Sequence, residues 1–343
     1  MRTFGIYTLE AVVALLASIT TVQAADSVAT FYAGKTVYIV ESSGPGGGYD
    51  IYARLIAQHL GKHIPGSPNV IIQYMPGAGG RKMASQLFAI GPYDGTVIGS
   101  FEQGIALDQA TGGSEIRFDA KKFYWLGSPY DTVGVAMTWQ TSKTKSLEDA
   151  MSDETLMGGI GPTASTDYVP PILNDLLGTK FKVITGYPSG SEIDVALEKS
   201  EIDGRVLGYD ALKTTSDWVV NKKVNILVQY GVEKDPDLPD VPLLLDLVKS
   251  EIGHNVVDFI SAAAAMGRPY GLPPNVPEDR AKALRKAFED TITDPAFLAD
   301  AKNAREDVRL RSGESLTKLV ATQVDADQAT IADVKRAMGI KGN

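Results

Sequence analysis

"ESSGPGGGYDIYARLIAQHL", residues 41–60, sets four glycines and a proline between the apolar run "KTVYIV" (Lys35–Val40) and a segment whose Ile51, Leu55, Ile56 and Leu60 share one side of a helix. Strand, glycine loop and helix follow one another without a spacer. Glycine is costly to order, so a cluster of it means that the backbone turns tightly or must approach something closely. A tight turn, a nucleotide phosphate and another anionic ligand are the candidates.

The same order recurs along the chain. "NVIIQY" (Asn69–Tyr74) leads through "MPGAGG" to a helix over residues 82–89, and "TVIGSF" (Thr96–Phe101) adds a third strand. Further on, "ETLMGGI" (Glu154–Ile160) precedes "GPTASTD" and a helix to Leu177, while "KFKVIT" (Lys180–Thr185) precedes "GYPSGS" and a helix to Lys199. "GRVLGY" (Gly204–Tyr209) and "VNILVQY" (Val224–Tyr230) complete a second unit. This alternation predicts an α/β fold with mostly parallel strands. "EKDPDLPDVP" (Glu233–Pro242) reads as a surface connection, "PPNVPEDR" as a helix start at Glu278 and Asp279, and the last forty or so residues as helical.

Composition narrows the function. The 343 residues suffice for two domains, and 44% hydrophobic with 22% charged residues is globular. Thirty-three basic against forty-two acidic side chains leave a formal charge of −9, which argues against gripping nucleic acid through its phosphates. Arg2 ahead of an apolar run from Ala11 to Ile19, with "VQA" ending at Ala24, predicts an export signal over residues 1–24 and a periplasmic protein. The absence of cysteine removes disulfides, thiolate nucleophiles and cysteine-ligated metals. His59 and His63 have i, i+4 spacing but no HExxH glutamate, so helix-end histidines are expected rather than a metal site.

In a parallel sheet the helix starts gather along one edge, where unpaired N–H groups favour an anion. If the first two strands are neighbours, Gly44–Gly48 and Pro76–Gly80 face one cleft. A dinucleotide fingerprint fails because its third glycine position is Tyr49, and no Walker sequence is present. Asp50 is expected to satisfy amides of its own helix start. Thr163, Ser165, Thr166 and Asp167, and one unit later Tyr187, Ser189 and Ser191, stand at helix starts. There they either cap the helices or hold the far end of a small polar ligand. Tyr209 and Asp210 follow the next strand, and Arg81, Arg205 and Arg268 are the cations of interest.

"GPGGGYDIYARLIAQHL", "VIIQYMPGAGG", "PYDGTVIG" and "FKVITGYPSGSEIDVALEKSEIDGRV" together resemble the exported substrate receptors of tripartite tricarboxylate transporters, the Bug family. The resemblance runs from about Tyr32 to "DPAFLADAK". It implies a two-lobed periplasmic binding protein of the type II-like α/β class, with the ligand cleft between the lobes. Residues 25–127 and 240–343 would form one lobe and residues 128–239 the other. It further implies a monomer without cofactor or catalysis that carries a small organic carboxylate to membrane permease subunits. The carboxylate would lie on Ser43, Gly44, Pro45, Gly46, Gly47, Gly48 and Tyr49 and on Pro76, Gly77, Ala78 and Gly79. Thr163, Ser165, Thr166, Tyr187, Tyr209 and Asp210 would read the remainder. "ESSGPGGG" lacks an aromatic and a proline common before the glycines, and "GIGPTASTDY" lacks the usual Gly-Ser and following His; both departures face the variable half of a ligand. A periplasmic sensor for a signalling kinase and an exported enzyme are the alternatives.

Overall fold

The structure is a computed structural model that describes residues 28–112, 115–130, 133–214 and 217–340. The expected export signal lies outside the described residues. Among the described residues eleven strands form two sheets: β1 Thr36–Glu41, β2 Asn69–Tyr74, β3 Val97–Ser100, β4 Tyr124–Ser128, β5 Gly134–Trp139, β6 Thr155–Gly159, β7 Phe181–Thr185, β8 Gly204–Gly208, β9 Val224–Tyr230, β10 Tyr270–Leu272 and β11 Arg311–Ser312. The first sheet has the order β11-β4-β10-β3-β1-β2 and the second β7-β6-β8-β5-β9.

In each sheet the loop-bearing strands run parallel: β1 with β2 and β3, and β6 with β7 and β8. The remaining pairings, through β10, β4, β11, β5 and β9, are antiparallel. The expectation of mostly parallel strands is therefore corrected. The chain leaves the first sheet through β4, enters the second through β5, and comes back from β9 to β10. β5, which follows β4 out of the other sheet with no helix between them, has no crossover helix to hold it parallel.

Both sheets are covered on both faces. Val37 and Ile39 of β1 face a core with the helices Gly48–Leu60 and Glu278–Thr293, while Val40 faces one with the helices Arg81–Ile90 and Gly313–Val324. In the second sheet Ala136 and Val228 look toward the helix Ser165–Leu177, whereas Val135, Met137 and Trp139 look toward the helix Gly190–Glu198. The period-2 side-chain alternation of a strand makes this division. The helices Glu251–Ala264 and Gln328–Ala337 join the second sheet's core through Val256, Val257, Ile260 and Val334.

Candidate functional site

β1 and β2 are adjacent and in register from Thr36–Asn69 to Glu41–Tyr74, so the two glycine loops leave the same sheet edge side by side. The first loop is drawn together by Asp50. Its Oδ2 accepts the Gly46 N–H at 2.7 Å and the Arg54 Nε at 2.9 Å, and its Oδ1 accepts the Tyr74 hydroxyl at 2.5 Å. The carboxylate thus serves an amide of the loop ahead of its helix rather than the helix-start amides expected of it. The helix Gly48–Leu60 starts at Gly47 without any side-chain cap, which leaves its first amides for another acceptor.

The two halves of the chain touch around these loops. The Gly44 N–H donates to the Pro188 carbonyl at 3.0 Å, and the Ser191 hydroxyl donates to the Pro45 carbonyl at 2.9 Å. In the second loop the Thr163 hydroxyl donates to the Gly79 carbonyl. Gly79 has φ +66°, and a Cβ there would lie 2.7 Å from the Gly161 carbonyl carbon. Only glycine accepts both that backbone conformation and that approach.

Between the halves lies a cavity of about 50 Å³. Ser43, Gly47, Gly48 and Tyr49 line it from the first loop, and Ser165, Thr166, Ile160 and Ala164 from the opposite helix start. Glu102, Arg205 and Arg268 bring charge to it. Gly44, Pro45 and Gly46 instead contact Pro188 to Ser191, and Pro76 to Gly79 are outside the lining, with Gly79 packed on Gly161 and Thr163. Thr163 is bound to Gly79, and Tyr187 packs at the edge of the Trp139 core. Tyr209 is buried with the Lys213 ammonium 5.1 Å from its ring centre. Asp210 reaches the site through Arg268, with Oδ2 2.6 Å from Nη2. Capping occurs at Ser189, whose Oγ accepts the Glu192 N–H, but not at Thr166, whose Oγ1 instead accepts the N–H of Ile160 ahead of its helix at 3.1 Å.

Arg268 is the central cation. Its guanidinium carbon stands 4.4 Å from the centre of the Tyr49 ring, and Nη2 would be 3.2 Å from a Cβ on Gly48. Burial opposes its charge, but Asp210 and the neighbouring tyrosines raise its pKa above the ordinary arginine value. Nε of Arg268 and Nε of Arg205 are buried without a hydrogen-bond partner among the described residues. Arg81, by contrast, is spent on Asp108 and Glu115. His59, in the last turn of the helix Gly48–Leu60, and His63, in the short turn after it, lie 2.9 and 2.8 Å from the carboxylates of Asp300 and Asp294.

Glu102 was not anticipated. It follows β3, the third parallel strand, so the same edge rule that marked the glycine loops could have found it. Burial pushes its carboxyl up to about 8, nearby Glu41 adds to that, and Arg268 and the Tyr49 hydroxyl oppose it. Glu41 itself is raised by burial to about 7, with hydrogen bonds from Ser100 and Ser43 opposing.

No family model matches the chain. A curated Agrobacterium vitis relative, described as a UPF0065 protein in the TAR-I ttuE-ttuC' intergenic region, is 24% identical over 285 residues, covering 81% of this chain and 77% of its own. Among solved structures, the periplasmic binding protein BugD superposes with a TM-score of 0.72 at 18% identity, covering 91% of this chain and all of its own. MatC from Rhodopseudomonas palustris, solved with bound malate, gives 0.69 at 18% identity over 87% of this chain and 99% of its own. The fold is that of a two-lobed periplasmic binding protein. The resemblance to Bug-type receptors read from the loops is borne out by these neighbours. Among the described residues no helix is long and apolar enough to cross a membrane.

Proposed function

We propose that the chain is an extracytoplasmic solute-binding receptor that captures a small organic carboxylate and hands it to the membrane subunits of a tripartite transporter. The observation that carries this reading is the cavity between the two sheets, where the uncapped helix start at Gly47–Tyr49 and two buried arginines meet. Helix-start amides and guanidinium groups share an affinity for carboxylate, and in a site shielded from water that affinity is strong. In this reading residues 1–24 direct export, residues 25–127 with 240–343 move against residues 128–239, and the chain acts as a monomer without catalysis. The first loop holds the ligand; the second, through Gly79, meets the opposing lobe as the cleft shuts. The relative solved with malate supports a carboxylate as ligand.

A thermal-shift screen of the purified protein against small carboxylates tests the reading. Ligand at a hundred times its dissociation constant adds about 2.7 kcal/mol, a shift of several degrees. Flat melting curves across mono-, di- and tricarboxylates would sink it.

A further inference from the structure

Three ionisable side chains line the cavity, and two of them are in ion pairs. Arg268 is paired with Asp210 at 2.6 Å, and Arg205 with Asp194 at 2.6 Å and the Gly190 carbonyl at 2.7 Å. The third, Glu102, is 3% exposed, makes no ion pair among the described residues, and its Oε1 has no hydrogen-bond partner there. It is also held in place, since a Cβ on Gly80 would lie 2.9 Å from its Cγ.

A buried carboxylate with an unmet oxygen is unfavourable unless it takes a proton or meets a donor. Burial and Glu41 raise its pKa although Arg268 and the Tyr49 hydroxyl oppose them, so the groups already present do not balance a charge there. The helix start at Gly47–Tyr49, with Arg268 above Tyr49, is the electropositive side of the cavity, and Glu102 is its electronegative group. Both line the same cavity, so one small molecule bound there meets both. Resting on the carboxylate reading above, we propose that the ligand also carries an ammonium group, received by Glu102, and that the receptor selects small amino-carboxylates over the matching plain acids. A ligand with a second carboxylate in that position would set like charges together in a shielded site.

The test is calorimetric titration of the purified chain with two size-matched sets: alanine, lactate and propionate, and aspartate, malate and succinate. The amino member of at least one set should bind ten times more tightly than both its partners. Glu102→Gln should bring the three members of that set within threefold of one another while still binding carboxylate. If plain acids bind as tightly as the amino acids, this inference falls and the carboxylate reading stands. If none of the six binds, this inference falls, and the wider thermal-shift screen decides the carboxylate reading. Selectivity kept by a folded Glu102→Gln protein removes Glu102 from the role, and should that variant fail to fold, the wild-type ranking decides alone.

Discussion

Gly79→Ala tests whether lobe contact and ligand affinity are one free energy. The added Cβ would lie 2.7 Å from the Gly161 carbonyl carbon and 2.8 Å from both its oxygen and the Thr163 Oγ1. Carbon atoms settle at about 3.5–4.0 Å, so the opposing loop must retreat by roughly 1 Å, and two of its three atoms are backbone. That retreat breaks the Thr163–Gly79 hydrogen bond and pulls on the Gly44–Pro188 and Ser191–Pro45 bonds. Three hydrogen bonds at about 0.5–1.5 kcal/mol each put the shut arrangement at a disadvantage of about 1.5–4.5 kcal/mol. A ligand that binds only the shut arrangement must supply that difference, which weakens binding by about 10- to 2,000-fold. Alanine at φ +66° also strains the backbone by about 1–2 kcal/mol whether the lobes touch or not. Gly178→Ala separates the two effects, because Gly178 has φ +75° but nothing within 4 Å of the added carbon. Both variants should melt a few degrees early, and only Gly79→Ala should lose affinity in calorimetry against the best ligand of the screen. Equal affinities for the two variants would refute the reasoning.

Arg268→Met should cost about 3–5 kcal/mol in urea unfolding, because it leaves the buried Asp210 carboxylate without its guanidinium, and adding Asp210→Leu should restore much of that; a single variant as stable as wild type would refute it. Glu41 is raised from 4.5 to about 7, and Glu102 and Glu306 to about 8, chiefly by burial. Between about pH 5 and 8 the folded protein therefore holds more protons than the unfolded chain, and stability falls as pH rises. Each unit of displacement on one group is worth about 1.4 kcal/mol, so the melting temperature should drop from pH 5.5 to pH 8.5, with a gentler slope in Glu306→Gln; a rise over that range would contradict the burial argument.

The seven strands expected from apolar runs bounded by glycine, proline or polar loops all form, β2 and β9 with the same ends as expected. β4, β5, β10 and β11 were not anticipated. β5 is buried at every position and β4 at all but its first, so neither shows the alternation that marks a half-exposed strand. β10 and β11 have three and two residues and owe their pairing to neighbours far away in sequence. For the site, Gly47–Tyr49 stood out in the sequence as an uncapped glycine helix start, whereas nothing there showed that Gly44 and Pro45 would meet Pro188 and Ser191 instead. The second loop was legible as a loop, but its partner across the cleft, Gly161, depends on how the two sheets face one another. Glu102 was hidden for the opposite reason: a lone glutamate after a strand looks like any solvated charge until the fold closes over it.

β10 lies in the middle of the first sheet, between β3 and β4, although Tyr270 pairs with Ser100 across 170 positions of chain. During synthesis that slot stays open until Tyr270 has left the ribosome, so β3 and β4 have no common neighbour and the two halves of the sheet cannot be joined. A polypeptide so wired cannot complete its first sheet until all but the last of its strands have been made, whereas the second sheet, closed by Tyr230, needs no strand that follows it.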